Sequence, residues 1–124
     1  RRAEPARLVE RADHLAHDGR PVAARDLYER VVREYPGDPA RAEALWGLGV
    51  VQCDPASPFR DYRAGYTTFG RLLAEHPRST FEADARRWRA TLSELLAREE
   101  EMARMRSQLQ RLKRIEVELE RSPR

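Results

Sequence analysis

The sequence has little of what would mark a disulfide-stapled fold, a multi-cysteine metal site or a membrane span. Its 124 residues contain one cysteine, Cys53, so no internal disulfide can form. Histidine occurs three times and lysine once, as Lys113; the other 23 of the 24 basic residues are arginine. No apolar run approaches the roughly 20 residues that cross a bilayer. No stretch alternates apolar and polar residues with β-branched enrichment, so strands are not expected. One sign of charge does not dominate either. The 21 acidic residues leave a net charge of +3, and they are interspersed nearly everywhere, so the pI of 9.5 reflects an arginine excess rather than a dense positive field. A chain 40% hydrophobic and 36% charged is too charged for a membrane protein and too apolar for a disordered one. It opens on Arg1 without a signal peptide, which reads as a processed or trimmed piece. A lone thiol is tolerated in either redox compartment.

What is present is helical periodicity with clean breaks. Pro5 suits a first helical turn, and Leu8, Ala12, Leu15 and Ala16 follow at helical spacing until Gly19-Arg20-Pro21. A second helix is expected from about Pro21 to Tyr35, with Ala24, Leu27, Tyr28, Val31 and Val32 on one face, ended by Pro36-Gly37. Asp38-Pro39 starts a third, because aspartate accepts from unpaired amides and proline at the first position gives up no needed donor. That helix carries Ala42, Leu45, Trp46, Leu48, Gly49 and Val51 and stops near Cys53. After the Asp54–Pro58 loop a fourth runs from about Arg60 to His76. Ser79 and Glu82 then form a capping-box pattern. Nothing breaks the last helix until Ser122-Pro123. About 42 residues at about 1.5 Å each make roughly 60 Å of helix, which must protrude from a core or pair with something.

The helices repeat. Tyr35-Pro36-Gly37-Asp38 with Ala42 and Ala44 matches His76-Pro77-Arg78-Ser79 with Ala83 and Ala85 at a period of 41. Ala24-x3-Tyr28 and Gly65-x3-Phe69 precede the two prolines by the same intervals. Such a period implies stacked helix pairs, since one pair cannot bury its own apolar face. Leu45-x2-Leu48-Gly49, then Gly65-x3-Phe69, then Pro77 resembles the tetratricopeptide repeat (TPR); Leu8, Ala12, Leu15, Gly19, Ala24, Tyr28 and Pro36 fit the same pattern, with Arg11 a departure. The resemblance covers residues 5–96. It implies an all-α fold of TPR-like antiparallel helix pairs, an α-solenoid fragment; the unbroken helical periodicity beyond it adds a long coiled-coil-like C-terminal helix. The expected organisation is a repeat domain over 1–96, with units at about 5–36 and 39–77 and a capping helix from 79, then a helix over 97–121 and a tail at 122–124. Gly49 and Gly65 are expected where helices cross at close range.

The Tyr-Pro-x-Asp/Ser punctuation is similar to the repeats of bacterial envelope lipoproteins of the BamD type. The tail from Leu109 to Arg121 resembles the C-terminal helix of QseG-type lipoproteins, which work with a two-component sensor histidine kinase. These resemblances imply a periplasmic or envelope setting, a protein partner such as an assembly component or a sensor kinase, and membrane attachment only through an N-terminal anchor. A cytoplasmic TPR adaptor is the alternative.

Candidate chemistry is sparse. His14 and His17 share a helix face beside Asp13 and Asp18, but no third and fourth ligand can be identified, so no metal site is expected. Cys53 lacks a histidine partner and Gly-rich surroundings. There is no G-x-S-x-G, P-loop or G-x-G-x-x-G, and no carboxylate pair stands out in an apolar pocket. The chain therefore reads as neither an enzyme nor a cofactor binder. Arg86-Arg87-Trp88-Arg89 and the five bases between Arg104 and Arg114 raise a nucleic-acid reading. Glu99–Glu101 and Glu116, Glu118 and Glu120 flank the second cluster and would repel phosphates, and Trp88 lies on an apolar stripe with Phe81, Ala85, Leu92 and Leu95.

Two binding surfaces follow. In TPR folds the first helix of each pair lines the concave face, and the resemblance places Val9, Asp13 and His17, then Trp46 and Val50, then Arg87 and Thr91 on it. Trp46 is the expected anchor, at least partly exposed. The second surface comes from periodicity alone. Met102, Met105, Leu109, Leu112, Ile115 and Leu119 form an apolar stripe too long to leave uncovered. A second copy could cover it only weakly, because Glu116 would fall at a core position.

Overall fold

The computed structural model describes residues 3–122, and every regular element in that range is helical. They are α1 (Glu4–His17), α2 (Pro21–Glu34), α3 (Ala40–Cys53), α4 (Tyr62–Glu75) and α5 (Glu82–Arg121). The chain divides into two compact units, the first reaching Leu92 and the second beginning at Ser93. Residues 123 and 124 of the expected tail lie outside the described range. No helix among the described residues is long and apolar enough to cross a membrane.

In the first unit α1 packs against α2, α3 against α4, and α2 and α1 both meet α3, which makes adjacent antiparallel pairs. The breaks fall where proline and glycine put them. Gly19, at φ +76°, is the residue that turns the chain out of α1, a conformation that costs glycine nothing. The 41-residue period is reproduced in the backbone itself. Tyr35 and His76 end α2 and α4 with nearly the same dihedrals, φ −128° ψ 59° and φ −135° ψ 61°. The amides of Asp38 and Ser79 donate to the carbonyls of Tyr35 and His76 at 3.2 and 3.0 Å. The side chains of Asp38 and Ser79 then accept from the amide two residues on, Ala40 at 2.8 Å and Phe81 at 3.0 Å. Two different side chains thus close the same turn.

The capping box expected at Ser79–Glu82 does not form. Ser79 Oγ is already engaged by the Phe81 amide, α5 begins only at Glu82, and the Glu82 carboxylate pairs forward with Arg86. The fourth helix likewise starts at Tyr62 rather than Arg60, because Asp61 caps it by accepting from the Ala64 amide at 3.0 Å.

The core is built from small residues opposite large ones. Ala12, Ala24, Val31, Leu45, Phe69, Leu72 and Ala85 are fully buried. α3 is the most enclosed helix, with Ala40, Ala44, Leu48, Val51 and Cys53 all buried, as its central place between α2 and α4 requires. A side chain at Gly49 would meet the Phe69 ring at 2.6 Å, and one at Gly65 would overlap Cys53 Sγ and approach the Gly49 carbonyl at 3.5 Å. Both glycines therefore sit at the α3–α4 crossing, where backbone proximity offsets the roughly 1 kcal/mol that glycine costs in a helix interior. Gly47 leaves room in the same way for the Tyr28 ring.

Replacing Gly65 by leucine is expected to overpack this crossing and cost about 1–3 kcal/mol. At about 4–8 °C per kcal/mol for a domain of this size, the loss is visible in a thermal melt followed by circular dichroism. Pairing Gly65→Ala with Cys53→Ala should restore stability relative to Gly65→Ala alone. An unchanged melting temperature in Gly65→Leu would mean that the crossing is looser than described.

Candidate functional site

The residues expected on a concave face do not all reach one. Val9 is 2% exposed and belongs to the core. The deepest stripe of α1 is Pro5, Val9 and Ala12, one step around from the Leu8–Leu15 line, because α1 packs on both α2 and α3. Asp13 is exposed at its helix surface but its carboxylate accepts from the Tyr28 hydroxyl at 2.5 Å. Burial, then that bond, hold the Tyr28 phenol far above its ordinary range. His17 is exposed at the end of α1, and Val50 is half-buried on α3.

Trp46 is half-buried, with both ring neighbours taken from other elements. It stacks on Phe81 at 5.3 Å between centroids and 10° between planes, and tilts against Phe69 at 5.4 Å. Phe69 in turn stacks with Trp88 at 5.8 Å. Trp88, on the apolar stripe with Ala85 and Leu92, is 38% exposed where those two are buried, and it stacks on Phe69. The Arg89 guanidinium explains the shift. It donates to the Tyr66 carbonyl at 3.2 Å and lies 3.9 Å over the Tyr66 ring, so it fills the buried side of α5 that the stripe had given to apolar residues. Arg87 and Thr91 do come together, with Asp84 and Trp88, around an open depression of about 240 Å³. Arg87 is exposed and pairs with Asp84 on its own helix. The four lining residues all lie on α5, so the depression joins two of the expected groove residues on one helix face, and its aromatic wall was missed as a site because Trp88 keeps core spacing.

The charged residue that sequence reasoning missed is Arg41. It is buried at the start of α3, where it joins three elements. Its Nε donates to the Val32 carbonyl at 3.0 Å, and its Nη1 donates to Glu75 Oε1 at 2.6 Å and lies 3.0 Å from His76 Nε2. These contacts tie the ends of α2 and α4 to α3. The hydrogen bond from Arg41 holds the Glu75 carboxyl below the usual carboxylate range. Burial, then the Arg41 charge, hold the His76 imidazole below its ordinary range, with Glu75 pulling the other way.

The sign of the pH dependence follows. The unfolded chain binds a proton at His76 near pH 6.5 that the folded chain resists, so stability is full above about pH 6.5 and falls as pH drops below it. The contribution of Glu75 is present above its unfolded value and is lost as pH falls through its lower folded value. The melting temperature should therefore decline on acidification from about pH 7 to 5, and His76→Gln should flatten that limb while leaving the steeper fall at lower pH. Thermal melts across this range check it; an undiminished slope in His76→Gln would assign it to other groups.

Cys53 is buried and its thiol is pushed up to about 11, mainly by burial and further by Asp61, so it stays protonated and unreactive at neutral pH. Among the described residues, no three His, Cys, Asp or Glu side chains come together as a metal site would need.

The second surface lies in the second unit. Every residue of α5 from 97 to 121 is exposed. Met102, Met105, Leu109, Leu112, Ile115 and Leu119 are between 47% and 72% exposed. No protein-family model matches the chain, and no curated protein or solved structure matches it either.

Proposed function

We propose that this chain is a non-catalytic protein–protein binding module, a TPR-like helical scaffold whose distal α5 face holds a partner protein. One observation carries the reading, which is the exposure of the six-residue stripe on α5. Burying each such side chain contributes about 1.5–3 kcal/mol, so an uncovered line of six favours association. The depression beside Trp88 is the secondary surface, because an exposed tryptophan is a frequent anchor of a bound segment.

The bacterial envelope is the setting we favour, on the resemblance of the repeat punctuation and the tail to envelope lipoproteins. An assembly component or a sensor kinase fits the partner. A nucleic-acid role has less support. Arg86, Arg87 and Arg104, from the two basic clusters, pair with Glu82, Asp84 and Glu101 on their own helix.

The test is truncation. The full chain and a chain ending at residue 96 are immobilised and exposed to an envelope extract, and bound proteins are identified by mass spectrometry. A specific partner should be retained by the full chain and lost on truncation. Equal capture by both would move the binding surface into the first unit.

A further inference from the structure

We infer that the α5 stripe docks an amphipathic helix of another protein whose apolar seam is flanked by carboxylates on both sides and carries a base opposite Glu116. The inference rests on the binding role proposed above and names the chemistry of the partner.

At 3.6 residues per turn the stripe from Met102 to Leu119 occupies an arc of about 140°. Its shoulders are basic on both sides. Arg104 and Arg111, seven apart, fall on one edge, and Arg106 and Lys113, seven apart, fall on the other. No acidic residue occurs from Met102 to Ile115. Four exposed cations thus frame the central apolar residues, with Arg104 also paired to Glu101 along its own helix. Within the arc, Glu116 continues the Met102–Leu109 line at the next interval of seven. A carboxylate in a helix–helix seam is costly unless the facing helix supplies a base.

Three covers are conceivable, and the charges separate them. A second copy in parallel register gains Glu101 against Arg106 but sets Glu116 against itself. An antiparallel copy centred between Leu109 and Leu112 sets Arg106 against Lys113. An anionic membrane would welcome the four cations but must take Glu116 into its apolar layer beside Glu118 and Glu120. An acidic helix meets both basic shoulders with opposite charge and can place one lysine or arginine at Glu116.

The experiment uses the full chain and two labelled three-heptad peptides. Both carry leucine at a and d, with lysine at the position facing Glu116 in parallel register. One has glutamate at every e and g position, the other lysine. Fluorescence anisotropy should show the acidic peptide binding about tenfold more tightly at low salt, an advantage that shrinks as salt rises. The double variant Arg106→Glu/Lys113→Glu should narrow or reverse the preference. Vesicles of phosphatidylglycerol and phosphatidylcholine should not compete with the acidic peptide, and sedimentation of the chain alone should show mostly monomer. Equal affinity for the two peptides, displacement of the acidic peptide by vesicles, or a tight chain dimer that the peptide cannot open would each overturn the inference. Loss of partner capture on truncation, together with equal peptide affinities, would leave the binding role standing and remove only the charge assignment.

Discussion

Replacing Arg41 by methionine is expected to destabilise the first unit more than any other single charge removal. The reason is position. The guanidinium is buried, donates to the Val32 carbonyl of α2 and the Glu75 carboxylate of α4, and lies 3.0 Å from His76 Nε2. Methionine keeps much of the side-chain volume but leaves the Val32 carbonyl without its donor and removes the partner of Glu75. An unsatisfied buried acceptor costs about 1–3 kcal/mol. Glu75 is itself partly exposed and can return to water, which limits the rest. A total of about 3 kcal/mol, or about 12–24 °C in melting temperature, is the expected result. Glu75→Gln should cost clearly less, because an amide oxygen can still accept from Nη1. Thermal and urea melts check both. Similar small losses in the two variants would mean that Arg41 is a solvated residue held in place by the fold rather than a tie between its helices.

The second large effect concerns binding and not stability. Leu109→Glu with Leu112→Glu is expected to abolish partner capture while leaving the melting transition of the first unit unchanged. Both side chains lie in the second unit and are more than half exposed, so removing them opens no cavity. Two carboxylates at the centre of the seam cannot be desolvated without a matching base. Affinity should fall by more than 100-fold on the usual cost of burying an unpaired charge, about 3–5 kcal/mol. Pull-down and circular dichroism measure the two halves of this expectation. Partner capture that survives the double change would make the stripe incidental.

Most of the fold was legible because proline and glycine punctuate it so clearly. Pro36 and Pro77 follow helix ends and Pro21 opens α2, because proline fits the first turn of a helix but not its interior. The repeat was legible for a deeper reason, since Tyr35 and His76 adopt the same backbone conformation and Asp38 and Ser79 close the same turn. Gly49 and Gly65 were readable as packing residues because a helix tolerates glycine at a cost that only close approach offsets.

What was not legible depended on tertiary choice. Val9 and Leu8 sit next to each other on α1, and only the packing of α1 on both α2 and α3 decides which is deeper. Trp88 keeps the spacing of a core residue, yet Arg89 takes the buried side by pairing with the Tyr66 carbonyl and ring. Arg41 was hidden among 23 arginines, with no counterpart in the next repeat, where Glu82 stands at the equivalent place. A residue used once at a junction leaves no periodic trace. The groove residues suffer the same limit, because a line of positions carried over from a resemblance cannot show that Asp13 is held by Tyr28.

The claim that the α5 stripe is the primary binding surface is most directly tested by site-specific photo-crosslinking in the full chain. A photoreactive residue is placed at Leu112 in one variant and at Thr91, beside the Trp88 depression, in another, and both are irradiated with the envelope extract. The account predicts one defined crosslinked partner from position 112 and little or none from position 91. A partner crosslinked from position 91 and absent from position 112 would contradict it.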